Sequence, residues 1–326
     1  MVTRRKYFFL GRRMIFSINS TTDYHRHDLN SLGWELTVCN SLNPVNSPCR
    51  KVLTSFYSFG KHLYNFLKKI IPFSDIRSIL EIGGGMGYLM HDFLTLNPQM
   101  RAKMIDISPF LLDKQKETLH SFDVDFELAD ILTVPSATLR GFDLAIMNEN
   151  MGDLPTLVAG QENDDPNVDI AVMTQRLEYF NKKYNLSLGL NENEHINIGA
   201  IEVVEKLCLA GIKYIYLSEH SCEAVAPEHI KPYISFQSSG SPEMISLKGH
   251  KEFTVKFSDL QKIANMLNYK TLRGPFADFL TINFNDKVKT ALRLVTPFND
   301  EQEIIRHFVY DLFKYEYLIL IKGDIE

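Results

Sequence analysis

Along this chain, runs of apolar residues short enough for strands alternate with longer stretches patterned for helices. Ser78–Ile82, Ala102–Ile107 and Gly141–Met147 are nearly unbroken apolar runs, as expected of strands buried on both faces of a parallel sheet. Val124–Leu132 alternates apolar with polar, and Lys213–Ser218 and Tyr317–Ile321 add two further strands. A strand is also expected from about Tyr269 to Phe284, broken near Pro275. Helical spacing marks Pro48–Ile71, where Val52, Phe56, Phe59, Leu63, Phe66, Leu67 and Ile70 share one stripe and Pro72 ends the run. It also marks Ile170–Tyr184, Ala200–Ala210, Phe257–Leu267 and Glu301–Lys314. Residues 222–250, with Pro227, Pro232, Gly240, Pro242 and Gly249, read as loop. Strands alternating with helices predict an α/β domain of seven strands, the last two paired as a hairpin. The alternation lapses after the fourth strand, over about 156–198, where an insertion with the acids Glu162, Asp164, Asp165 and Asp169 is expected to sit over the strand ends. The organisation predicted is an N-terminal segment and covering helix over 1–71, followed by the main domain over 72–326.

The 326 residues suffice for one large domain or two modest ones, and 45% hydrophobic with 23% charged residues is ordinary for a globular protein. A net charge of -5 argues against a surface built mainly for nucleic-acid phosphates. Cys39, Cys49, Cys208 and Cys222 are widely spaced, which suits a reducing compartment better than a disulfide scaffold or zinc ribbon. No run of eighteen apolar residues marks a membrane span. The first acid after Met1 is Asp23, behind Arg4, Arg5, Lys6, Arg12 and Arg13. That basic stretch reads either as a plain leader of a cytoplasmic protein or as an organellar, for instance mitochondrial, transit segment.

The first strand ends in Glu81-Ile82-Gly83-Gly84-Gly85-Met86-Gly87 and opens into a helix. Glycines there admit positive φ and let a ligand lie against bare backbone, at the strand end where α/β sheets place their ligands. A dinucleotide fingerprint needs its third glycine where Tyr88 stands. The pattern present, Glu-x-Gly-x-Gly-x-Gly, resembles the first motif of class I S-adenosylmethionine-dependent methyltransferases. That resemblance implies a Rossmann-like seven-stranded sheet with helices on both faces, and S-adenosylmethionine as cofactor. Glu81 is placed to hold its ammonium or order water near it, with Gly83, Gly84, Gly85 and Gly87 forming the turn. Asp106, about twenty residues on, is placed for the ribose hydroxyls, with Ile107 beside it. Asp130 and Ile131 resemble the acid-plus-apolar pair beside adenine, and Asn148 completes the expected cofactor side. Taken singly, each acid is equally an ordinary solvated strand end; their intervals unite them.

Further segments are similar to the MidA-like methyltransferases, a class I family linked to respiratory complex I assembly through arginine methylation. Glu81–Leu94 matches that family's Glu-x-Gly-x-Gly-x-Gly-x-Leu-x-x-Asp element. Asn148-Glu149 through Leu154-Pro155 looks like its Asn-Glu-x-x-Asp-Ala-Leu-Pro signature, and Glu252–Leu260 with Gly274 and Asp278–Leu280 like its late helix entry and strand. Two departures lie on the substrate side. Gly152 stands at the signature's aspartate with Asp153 one place on, and Glu219-His220-Ser221 replaces an Asp-Tyr-Gly element.

A guanidinium acceptor must shed a proton during transfer and is held by carboxylates, so Glu149, Asp153 and Glu219 are the candidate catalytic acids. A hydroxyl acceptor would want a base near neutral pKa, for which His220 is the candidate. Each is equally readable as a loop charge. His25-x-His27-Asp28 offers two imidazoles at strand spacing but no third ligand nearby, so no metal is expected. Three functions stay open: methylation of a protein side chain such as arginine, O- or N-methylation of a small molecule under a lid formed by the insertion, and a non-catalytic assembly factor keeping the fold.

Overall fold

The computed structural model describes residues 8–9, 12–13, 16–33, 37–159, 170–189, 194–293 and 299–323. Lys6, Arg4 and Arg5 of the basic leader, and the acids Glu162, Asp164, Asp165 and Asp169, lie outside the described residues.

Seven strands form one mixed sheet: β1 (Ser78–Ile82), β2 (Arg101–Asp106), β3 (Val124–Leu128), β4 (Leu144–Asn148), β5 (Tyr214–His220), β6 (Tyr269–Pro275) and β7 (Tyr315–Lys322). Their spatial order is β3-β2-β1-β4-β5-β7-β6. The first five run parallel, and β7 inserts antiparallel between β5 and β6, with Tyr317 opposite Ser218 on one side and Gly274 on the other. This is the seven-stranded α/β sheet expected, down to its terminal hairpin. The chain winds outward from β1 through β2 and β3, then returns to start β4 on the other side of β1. The crevice at that reversal, at the carboxyl ends of the strands, is where such sheets bind ligands.

Alternation along each strand feeds two cores. Ile79, Met104, Ile146 and Ile319 face one layer, with helices α1 (Phe59–Leu67), α2 (Tyr88–Leu96) and, further along, α7 (Asp300–Lys314). Leu80, Ile105, Ala145, Leu217 and Leu318 face the other, with α5 (Ile198–Ala210) and α6 (Phe257–Met266). Helix α3 (Pro109–Thr118) follows β2, with Ser108 accepting a hydrogen bond from the Leu111 N–H and Pro109 at the first helical position. Helix α4 (Ile170–Tyr184) belongs to the insertion and buries Leu177, Phe180 and Tyr184 in the second core.

Several boundaries moved. The stretch read as one helix over 48–71 is two, Pro48–Val52 and α1. Leu53 leaves the helix to bridge Ile282, and Thr54 N–H and Asn283 N–H bond across to Thr281 O and Val52 O. Phe56, on the predicted stripe, is therefore turned out and 65% exposed. The sixth strand stops at Pro275, where a tight helical turn over Phe276–Asp278 takes over. Within the loop read over 222–250, Met244–Ser246 pairs with Lys251–Phe253 as a small hairpin. No packing break falls at 71/72, since Val38, Leu42, Cys49 and Val52 share a core with the sheet. The N-terminal strand Phe16–Asn19 pairs antiparallel with Thr156–Ala159, the start of the insertion.

Candidate active site

A cavity of about 420 Å³ opens at the carboxyl ends of β1, β2, β3 and β4. Its floor is the glycine turn after β1. Gly85 holds φ +54, and a Cβ placed there would meet nothing within 4 Å, so this residue presents bare backbone to open space. Gly83 and Gly84 also line the cavity, whereas Gly87 stands behind it, starting α2.

Three acids surround this turn. Glu81 is 2% exposed, and its Oε2 has no hydrogen-bond partner; burial, then the nearby Asp106, pushes its pKa up to about 8. Asp106 at the end of β2 accepts from Ser108 N–H (2.9 Å) and Gln115 Nε2 (2.7 Å), and burial raises it to about 6. Asp130, after β3, accepts from Leu132 N–H at 2.9 Å. Ile107, Ile131 and Asn148 line the same cavity.

Sequence reasoning missed the residues that hold these pieces in place. Gln115, fully buried on α3, also donates to Gly85 O (3.1 Å), tying Asp106 to the glycine turn, while its own Oε1 has no partner. Asn150 Nδ2 donates to the carbonyls of Ile82 and Gly83. Lys206 Nζ reaches from α5 to the carbonyls of Ile131 (2.9 Å), Leu132 (2.6 Å) and Val134 (2.8 Å), fastening the loop after β3. A lone cation in the apolar run Ile198–Ala210 was the one available signal for Lys206.

The other side of the cavity carries the candidate catalytic acids. Glu149 holds φ +55, a conformation uncommon for a residue with a side chain. Its carboxylate accepts from Val38 N–H (2.6 Å), Cys39 N–H (2.9 Å) and Asn148 Nδ2 (3.0 Å), so it anchors residues 38–39 across the cavity. Burial, against those hydrogen bonds, leaves it raised to about 7. Glu219 is buried beneath, accepting from Gly152 N–H (2.9 Å) and His220 N–H (2.8 Å), and burial raises its pKa well above the usual range. A Cβ at Gly152 would lie 2.8 Å from Phe253 O, so no larger residue fits there; the neighbouring acid is Asp153. Asp153 faces the cavity and pairs with His25 Nε2 at 2.9 Å. Burial alone would lower His25, but Asp153 prevails and raises it. His220 is not brought to the cavity; it stacks on Tyr315 (3.8 Å) and faces Asp311 at 3.4 Å.

The cover over the cavity differs from the one expected. No residue of the expected covering helix (48–71) lines it, nor does any described residue of 156–198. Residues 21–33, 37–40 and 247–252 close it instead, with Tyr24, His25, His250 and Glu252 facing in. His25 and His27 do not converge, because Tyr24–Asp28 is a single helical turn that leaves His27 exposed. All four cysteines are free thiols. No helix among the described residues is long and apolar enough to cross a membrane.

No protein-family model matches the chain, and no curated protein matches it. Solved structures similar to it include an O-methyltransferase family protein from Burkholderia thailandensis, at 12% identity and TM-score 0.42, covering 82% of this chain and 57% of that one. A plantazolicin methyltransferase, BpumL, in complex with SAH is similar at 13% identity and TM-score 0.44, covering 88% and 89%. The putative methyltransferase in a complex with the Haloferax volcanii Trm112 methyltransferase activator is similar at 11% identity and TM-score 0.45, covering 81% and 90%. The chain spans less than two thirds of the Burkholderia protein. These likenesses are remote, and the fold rests on the chain's own strand order and register.

Proposed function

We propose that this protein is an S-adenosylmethionine-dependent methyltransferase. The observation that carries the reading is the turn at Gly83–Gly85. It opens onto the cavity with free space over Gly85, flanked by acids at the ends of β2 and β3. The buried, unpartnered Glu81 Oε2 supports it further, as a polar atom waiting for a cationic or hydrogen-bonding ligand group. Bound S-adenosylmethionine would supply an electrophilic methyl group on its sulfonium. The glycine turn leaves room for its amino-acid and ribose portions, Asp106 accepts from the ribose hydroxyls, and Asp130 with Ile131 borders the adenine. Glu149, raised to about 7, has a pKa suited to taking the acceptor's proton near neutral pH.

For the acceptor, we propose a protein side chain, with arginine favoured by the resemblance to MidA-like enzymes and by the carboxylates on the β4–β5 side. A small O- or N-acceptor is the second reading, favoured by the cover of residues 21–33, 37–40 and 247–252, which closes over the cavity. Calorimetric titration with S-adenosylhomocysteine tests the cofactor: absence of binding to the folded protein overturns the proposal. Incubating a cell extract with labelled S-adenosylmethionine then separates the acceptors, through label on protein, on small metabolites, or on neither. The last outcome, with cofactor bound, marks an assembly factor that keeps only the fold.

A further inference from the structure

Three segments far apart in the chain meet at the cover and bring together side chains with ligand chemistry. His25 Nε2, Asp153 Oδ1 and a ring nitrogen of His250 lie within 4.8 Å of one another. Asp153 Oδ1 is 2.9 Å from His25 Nε2 and 3.8 Å from His250 Nε2, and Glu252 Oε1 is 2.7 Å from His250 Nε2. We propose that these residues form a site for a divalent transition-metal ion of the zinc class, with His25, Asp153 and His250 as its three protein ligands and Glu252 beside His250. No sequence spacing reveals it, because the ligands come from a helical turn, the loop after β4 and a hairpin.

The geometry suits such an ion. In a tetrahedral zinc site with bonds of about 2.0–2.1 Å, donor atoms stand roughly 3.3 Å apart. Asp153 Oδ1 stands 2.9 and 3.8 Å from the two imidazoles, on either side of that value, and all three donors lie within 4.8 Å, so an ion enters as the side chains adjust around it. Two imidazoles with one carboxylate and no thiolate is a donor set for zinc and its first-row neighbours. The four side chains are 11–23% exposed, partly withdrawn from water yet open to the cavity they line.

The site is also built. Tyr24 stacks on His250 at 4.1 Å with the rings 19° apart, and a Cβ at Gly249 would stand 2.8 Å from the Tyr24 ring. Thr21 Oγ1 donates to Asp153 O (2.9 Å), and Asn19 Nδ2 to Lys251 O (2.8 Å), so the three segments are tied by bonds other than those among the ligands. A metal ion here stands on the acceptor side. With three protein ligands, one coordination position would be left to the acceptor, where a bound ion would polarise an oxygen or nitrogen and ease loss of its proton. That consequence rests on the methyltransferase reading; the metal site itself does not.

The experiment is calorimetric titration of the chelator-treated full-length protein with Zn2+ alone, beside a separate titration with S-adenosylhomocysteine. One saturable Zn2+ site is expected. His25→Ala and His250→Ala should each weaken it at least about a hundredfold, beyond the 10–100-fold that loss of an outer partner costs. His27→Ala should leave it unchanged. X-ray absorption of the zinc-loaded protein should show imidazole ligands at about 2.0–2.1 Å. Thermal melting verifies that each variant is folded, and Asp153→Asn serves as a ligand-shape control expected to weaken binding as well. Absence of a saturable site in the folded protein, or a site that survives both histidine variants, overturns the proposal. Zinc failing while S-adenosylhomocysteine binds removes only the metal site; the reverse removes only the cofactor reading.

Discussion

The two sides of the cavity are made in different ways. On the β1–β3 side, a backbone turn and acids at consecutive strand ends do the work, held by Gln115 on the helix next along and, from further off, by Asn150 and Lys206. On the β4–β5 side, each acid has at least one partner far off in sequence: Glu149 residues 38–39, Asp153 His25, Glu219 Gly152. The first side is preformed by the sheet and has space over it. The second is a network of charges already engaged with one another, whose function depends on a cover that must close correctly. A binding face and a reacting face with such different supports should respond to different perturbations.

The largest expected effect breaks the first side. Gly85→Val should abolish S-adenosylhomocysteine binding by calorimetry while leaving the melting transition cooperative. The branched side chain fills the free space and opposes φ +54. Retained binding would move the cofactor away from the turn. Next comes the second side: Glu149→Gln should lower turnover about a hundredfold, the scale of a lost acid–base partner, with cofactor affinity nearly unchanged. Undiminished turnover on an acceptor found by labelling would leave Glu149 only its anchoring of residues 38–39.

Asp106→Asn should weaken the cofactor by roughly 1–3 kcal/mol, the loss of a charge-assisted hydrogen bond. The fold should survive, because the unpartnered Gln115 Oε1 can turn to accept from the new amide. A fall in melting temperature with affinity intact would make Asp106 structural. The pH dependence follows from the same residue. Burial raises its pKa to about 6. Above that value the carboxylate is charged and accepts from a ribose hydroxyl; below it, bound protons compete. Affinity should therefore be full above pH 6 and fall as pH drops through 6, by up to about tenfold per unit. Asp106→Asn should flatten that profile, and a slope that persists in the variant assigns it elsewhere. Smallest is Lys206→Met, which frees three carbonyls after β3. A several-fold loss of affinity is expected, with faster amide exchange confined to the loop around residues 131–134; exchange unchanged there would deny Lys206 its positioning role.

What could be read from sequence divides along the same line. The glycine turn, Asp106, Asp130 and the succession of seven strands were legible because strand periodicity and motif spacing are short-range signals. The split of the 48–71 helix was not, since it depends on Leu53 meeting Ile282 across the fold. The cover was not legible either. His25 suggested a partner in His27, two residues away, but the partners it meets are Asp153 and, beyond it, His250. The insertion was expected over the strand ends; its described residues pack Leu177 and Phe180 beside α5 instead, leaving the N-terminal segment to roof the cavity.

The N-terminal tie has a consequence for how this protein comes into being. Asn19 bonds Lys251, 232 residues downstream, and the neighbouring Phe16–Asn19 strand waits for Thr156–Ala159. During synthesis residues 16–19 leave the ribosome well before the segments they pair with. Contacts of such separation reward the chain only after the intervening domain has collapsed. The N-terminal part of the roof should thus settle late in folding, with the cavity beneath it open until then.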